Sequence, residues 1–164
     1  MNGIAISEVG HVVNILPPSN ITAGTTSALV ELFSMKGWAH ATVIVQFGTT
    51  AAAATALTIY ECEDASATGP HALPCHIQAC GTAFNAANAD ITPAMALDAD
   101  GIVASPGGTD NTYYVIEIDS TMLRASHPWI QILITAPAND ILCSAVAILT
   151  GGRYAGAAST TVLA

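Results

Sequence analysis

Residues Tyr113–Asp119 read Y-Y-V-I-E-I-D. Tyr113, Val115, Glu117 and Asp119 alternate with Tyr114, Ile116 and Ile118. Successive side chains in a strand point to opposite faces, so the two sets separate onto two sides. One side is wholly apolar and the other carries two carboxylates. That pattern predicts a strand with one face in a core.

The same reading extends in both directions. Toward the C-terminus, Trp129–Thr135 and Ile141–Leu149 are further strand-like runs, separated from Tyr113–Asp119 by the connector Ser120–Pro128. Short linkers between such runs fit an antiparallel arrangement. Toward the N-terminus, Ala41–Phe47 (A-T-V-I-V-Q-F) is almost continuously β-branched and ends at Gly48. It reads as a strand buried on both faces, or half-buried against a partner. Leu57–Cys62 and Ala28–Phe33 are predicted strands as well, and His11–Leu16 is a first strand ended by Pro17-Pro18. Ala51–Ala54 favours helix by propensity. It is short and uncapped, and reads as a loop entering a strand. Glu63–Asn111 is an irregular middle with Pro70, Pro74, Pro93 and Pro106; a strand is placed within Cys75–Phe84, and Ser105–Asn111 is a strong turn signal. The sum is one all-β domain over residues 1–164. It predicts an antiparallel β-sandwich or jelly-roll-like barrel of about eight strands, without solenoid repeats.

Composition asks what covers such a fold. The 164 residues are 52% hydrophobic and only 9% charged, against about 25% charged in typical soluble domains. A monomer in water needs a charged, patch-free surface. Three Lys plus Arg (Lys36, Arg124 and Arg153) and a formal net charge of -9 do not supply it. Either Thr, Ser, Asn, Gly and Ala cover the surface or much of it is hidden against other subunits, and the sequence shows both signs. The same scarcity argues against phosphate backbones and anionic membranes, which need clustered basic residues. Nucleic acid and membrane are therefore not expected partners. The apolar run Ile141–Leu149 is too short to span a bilayer. Met1–Gly10 contains Glu8 and lacks a basic start and an apolar run, so it does not read as a signal peptide.

Candidate chemistry is sparse. Cys62, His71, Cys75, His76 and Cys80 offer zinc-type ligands, but their spacing matches no standard structural site. The simpler reading is loop residues and core thiols; with Cys143 the cysteines are expected to be free thiols, a disulfide between two of Cys62, Cys75 and Cys80 being the alternative ahead of zinc. No metal or cofactor is expected. Glu61, Glu63 and Asp64 form an acidic cluster, and Glu117 and Asp119 share a strand face. Paired carboxylates can serve glycoside chemistry, yet they are equally a solvated face, and no nucleophile or phosphate-loop motif accompanies them. An enzyme is not expected. His40 and His127 precede strands beside Trp38 and Trp129; each is a candidate pH switch or an ordinary turn histidine. Asp90, Asp98 and Asp100 lack the EF-hand pattern, and Asn20-Ile21-Thr22 fits the glycosylation sequon.

Five segments in order carry a resemblance: Ile21–Thr26 (I-T-A-G-T-T), Met35–Phe47 (M-K-G-W-A-H-A-T-V-I-V-Q-F), Tyr113–Asp119, His127–Thr135 (H-P-W-I-Q-I-L-I-T) and Ala145–Ala155 (A-V-A-I-L-T-G-G-R-Y-A). Together they resemble small virion structural proteins of tailed bacteriophages, most nearly capsid decoration, or cement, proteins. The resemblance implies a jelly-roll or sandwich subunit made in the host cytoplasm. It would be commonly trimeric and seated on the capsid exterior where major capsid proteins meet. Its partners would be its own copies and the major capsid protein. Trp38 and Trp129 would be interface anchors, and Arg153 and Tyr154 would hold a tail, 151–164, against a neighbour. Residues 1–18 would form a capsid-contacting arm. A tail, neck or minor head protein is the nearest alternative, and a surface carbohydrate-binding module the next.

Overall fold

A computed structural model describes residues 6–22, 28, 29, 31–50, 56–80, 96–98, 102–104, 112–135, 140–152 and 163. Among them the chain forms one helical turn, α1 (Ile6–Val9), and twelve strands: β1 (Gly10–Ile21), β2 (Ala28–Leu29), β3 (Phe33–Ser34), β4 (His40–Thr50), β5 (Ala56–Cys62), β6 (His71–Ala72), β7 (Cys75–Cys80), β8 (Ala96–Asp98), β9 (Ile102–Ala104), β10 (Tyr113–Asp119), β11 (Trp129–Thr135) and β12 (Ile141–Thr150).

The strands form two antiparallel sheets. The larger runs β1-β12-β4-β10-β7-β8; the smaller runs β2-β11-β5-β6, with β3 also on β11 and β9 also on β5. The chain alternates between the larger and the smaller sheet over β1, β2–β3, β4 and β5, and again over β9, β10, β11 and β12, and these two runs pair in nested order. β1 meets β12, β2 and β3 meet β11, β4 meets β10, and β5 meets β9. A long antiparallel ribbon rolled into two sheets has this pairing, which is the jelly roll. The all-β sandwich read from the sequence is therefore the observed fold.

Period-two burial explains how the layers meet. Tyr114, Ile116 and Ile118 of β10, Val43 and Val45 of β4 and Ala145 and Ala147 of β12 are buried, as are Leu57 and Ile59 of β5 and Ile130, Ile132 and Ile134 of β11. They belong to one core cluster. Within the larger sheet, Val13, Ala147, Val43, Ile116 and Ile77 lie side by side in register across five strands. Gly151 ends β12 at φ +64; a Cβ there would lie 2.8 Å from the Ala39 Cβ, so the turn excludes side chains on two counts.

Three expectations are corrected. Ala28–Phe33 is two short strands rather than one, because the chain leaves the ladder at Glu31, whose N–H donates to the Ile15 carbonyl instead. β1 does not stop at Pro17-Pro18. It runs on to Ile21, with register shifts between Asn14 and Leu16 and between Leu16 and Ser19. Prolines that remove two donors are tolerated there because β1 is the edge of its sheet. The middle read as irregular, Glu63–Asn111, contributes β6, β8 and β9, while the strand placed within Cys75–Phe84 is observed as Cys75–Cys80. Residues 10–18 of the supposed arm lie in β1. Of the tail, Leu163 bridges Phe33; Arg153 and Tyr154 lie outside the described residues, as do Ala51–Ala54 and Ser105–Asn111.

Candidate functional site

The face of the larger sheet that points away from the core is organised in rows, because residues opposite one another in an antiparallel ladder share a face. The first row is Gly10, Thr150, His40 and Asp119; the second is Val12, Ile148, Thr42, Glu117 and His76; the third is Asn14, Val146, Ile44, Val115 and Gln78. The middle of this face is a ridge of Val12, Ile148, Val146, Ile44 and Val115. Val12 is 55% exposed, and the other four are half-buried. An outward face of a solvated sheet ordinarily alternates to polar residues. Here Ile44 of β4 and Val146 and Ile148 of β12 are outward yet β-branched and apolar, and Ile44 with the β-branched Thr42 is why Ala41–Phe47 reads as nearly continuous. Ile6 and Val9 of α1, just ahead of β1, add exposed apolar surface.

Polar chemistry on this face is concentrated at one end, around His40. Its Nε2 is 2.6 Å from Glu117 Oε2 and its Nδ1 2.9 Å from Asp119 Oδ1. The Thr42 hydroxyl donates to the same Glu117 oxygen at 2.7 Å. Ionised carboxylates only accept hydrogen bonds, so the arrangement favours the protonated ring, in which both imidazole nitrogens donate. Burial opposes that charge, but the hydrogen bonds with Asp119 and Glu117 and their negative charges outweigh it, and the His40 pKa is raised above 6.5. The sequence places Glu117 and Asp119 on one face; the partner that joins them is the histidine that opens β4.

The sign of the pH effect follows. A folded-state pKa above the unfolded one gives stability that is fully present below 6.5 and is lost as the pH rises through the raised folded value. Urea midpoints of the wild type and His40→Gln are expected to differ most at about pH 6 and to converge as the solution becomes alkaline. A difference that stays constant from about pH 5 to 9 would show that the clamp is not ionic.

The other sequence candidates disperse. Glu61 is buried on the core side of β5 opposite Ile130. Its carboxylate is 3.1 Å from Arg124 Nε and accepts the Arg124 backbone N–H at 2.8 Å. Asp64 instead closes the turn after β5, accepting N–H bonds from Ser66 and Thr68. Hydrogen bonds from the Thr68 side chain and then the Thr68 and Ser66 backbone hold its carboxyl below the usual range. Glu63 is half-exposed, 3.7 Å from the Nε2 of buried His127, whose Nδ1 is 2.9 Å from the Ser126 hydroxyl. His71 stacks edge-on against His127. Cys75 is buried in the core, while His76 shares the outward row with Glu117, and Cys62 pairs with Trp129 in the other sheet. No three metal-ligating side chains converge among the described residues. Cys62, Cys75 and Cys143 are buried thiols rather than disulfides. Burial, followed by the charges of Asp64 and Glu61, raises the Cys62 pKa, and burial pushes Cys143 up to about 11. Both are therefore protonated and poor nucleophiles.

The two tryptophans are half-buried. Trp38 stacks on His11 of β1, with ring centroids 5.8 Å apart and 14° between planes, and Gly152 lies against its outer ring edge. Trp129 opens β11 between Ser34 and Cys62. The sequence reading missed the outward ridge as a unit. Its signal was the β-branched apolar residues at the outward parity, Ile44 in β4 and Val146 and Ile148 in β12.

No protein-family model matches the chain, and no curated protein matches it. Among solved structures the chain is similar to the SPBc2 prophage-derived protein YomS, with a TM-score of 0.44 and 12% identity, covering 85% of this chain and 92% of that one.

Proposed function

We propose that this chain is a structural subunit of a tailed-phage virion that works by assembly and carries out no chemistry. Its nearest role is capsid decoration, with copies joined to one another, as a trimer, and to the major capsid protein on the capsid exterior. The observation that carries the proposal is the outward face of the larger sheet. Its centre presents Val12, Ile148, Val146, Ile44 and Val115 across four strands in register. Contiguous exposed apolar surface of this kind marks an interaction site. The low charge of the whole chain points the same way. Two carboxylates of the candidate chemistry, Glu61 and Glu117, are already committed to Arg124 and to His40 with Thr42.

Light scattering on the purified chain is expected to give an oligomer, and the protein is expected to co-sediment with preformed, expanded capsids. Ile44→Asp places an unpaired carboxylate in the middle of the ridge; it is expected to dissociate the oligomer while the circular dichroism remains that of a β-protein. A monodisperse wild-type monomer that ignores capsids sinks the proposal. So does an Ile44→Asp variant that assembles as the wild type does.

A further inference from the structure

At the end of the outward face away from His40, the larger sheet is interrupted twice. The β1–β12 ladder shifts register between Leu16 and Ser19, and the β12–β4 ladder shifts between Ile141 and Cys143. The two irregularities fall beside each other and open a cleft of about 360 Å³. Bulges next to a concavity are a common way to re-aim side chains toward a ligand.

The lining is specific in its chemistry. Phe47, Thr112 and Cys143, all more than nine-tenths buried, form its base. Ser144, Gln46 and Tyr113 cross its wall as one in-register row over β12, β4 and β10, and Pro18, Ser19, Gly48 and Leu142 complete the lining. None of these residues carries a formal charge, although the chain is acidic. An ionic ligand would find no counter-charge and would have to be desolvated without compensation. The lining instead supplies hydroxyls, an amide with donors and an acceptor, and a half-exposed phenol ring beside aliphatic carbon. The Thr112 hydroxyl, beside the cleft, is buried and has no hydrogen-bond partner among the described residues, and an orphaned polar atom of this kind calls for an explanation. Ligands that pair hydroxyl edges with an apolar C–H face fit this combination, and the volume lies at the low end of small-ligand pockets.

We infer that this cleft binds the uncharged sugar units of a glycan. Tyr113 is the platform for the sugar ring and Gln46 the group that reads its hydroxyls. Binding is a property of the single subunit, so its failure would leave the assembly proposal standing, and the reverse also holds.

Saturation-transfer NMR on the full chain, with glucose, galactose, mannose and N-acetylglucosamine offered separately at millimolar concentration, tests the inference. N-acetylneuraminic acid serves as the acidic comparison. At least one neutral sugar is expected to show transfer to its ring protons, and the acidic sugar is expected to show less. Gln46→Ala and Tyr113→Ala are each expected to weaken binding by about fivefold or more, while Thr121→Ala, exposed in the β10–β11 connector and outside both the cleft and the ridge, leaves it unchanged. Should Tyr113→Ala fail to fold, Gln46→Ala decides alone, because that side chain is exposed. No transfer to any of the four neutral sugars overturns the inference. Transfer that survives Gln46→Ala undiminished, or a preference for the acidic sugar, overturns it too.

Discussion

Replacing Ile132 by alanine is expected to lower the unfolding free energy by about 3–4 kcal/mol, within the range for truncating a fully buried aliphatic side chain. Ile132 has no exposed surface and sits at the middle of β11, opposite Ile59 of β5. Its neighbours along the strand on the same side, Ile130 and Ile134, are equally buried, and all four belong to the single core cluster. A cavity at that point has rigid strands on both sides, so little collapse can relieve it. A loss of this size is a large part of the total stability of an ordinary domain. Urea unfolding should show it as a lowered midpoint with an unchanged slope. Leu133→Ala, one residue along and on the opposite, half-buried face, should cost roughly half as much or less, since less apolar area is withdrawn from water. Equal losses at the two positions would contradict the assignment of inner and outer faces in the smaller sheet.

That contrast also shows what was legible in the sequence. Tyr113–Asp119 and Trp129–Thr135 are strands with the bounds read from their alternation, and β12 exceeds its reading, Ile141–Leu149, only by Thr150. Period-two burial is a local property, so a local pattern reveals it. Where the reading failed, a distant partner had intervened. Glu31 leaves the strand pattern for the Ile15 carbonyl, and β1 continues through Pro17-Pro18 because its outer side is a sheet edge, which no local pattern announces. The site followed the same division. Alternation puts Glu117 and Asp119 together, but His40 reaches them only through the β4–β10 register, from 77 and 79 residues away. The cleft was less legible still, since it depends on two register shifts in neighbouring ladders. The acidic cluster illustrates the opposite error. Glu61, Glu63 and Asp64 are adjacent in sequence, yet strand alternation and the following turn send them to Arg124, toward His127 and into the turn itself.

Of those three acids, Glu61 carries the second large effect. Its side chain is 4% exposed, whereas that of Arg124 is 54% exposed. The pair is therefore asymmetric: the carboxylate has left water and the guanidinium largely has not. Arg124→Ala strips the carboxylate of its only side-chain partner among the described residues and leaves it the Arg124 backbone N–H, at 2.8 Å in the wild type. A buried charge deprived of its counter-ion is strongly destabilising, and the expected cost is about 2–3 kcal/mol, below that of a fully buried pair because water reaches the arginine side. Glu61→Gln removes the charge itself while keeping an oxygen for the backbone N–H, and the arginine released is already solvated. Its cost is expected to be only about 1 kcal/mol, the net worth of a charge-assisted hydrogen bond in this setting. The order of the two variants is the informative quantity. If burial of Glu61 governs, Glu61→Gln introduced into Arg124→Ala should restore stability, giving a double variant more stable than Arg124→Ala alone. The effect should also persist in 1 M salt, because a shielded carboxylate is screened less than a surface ion pair. A neutral Arg124→Ala, or losses that simply add in the double variant, would reduce this contact to an ordinary surface pair and leave the link between β5 and the β10–β11 connector to its backbone hydrogen bond.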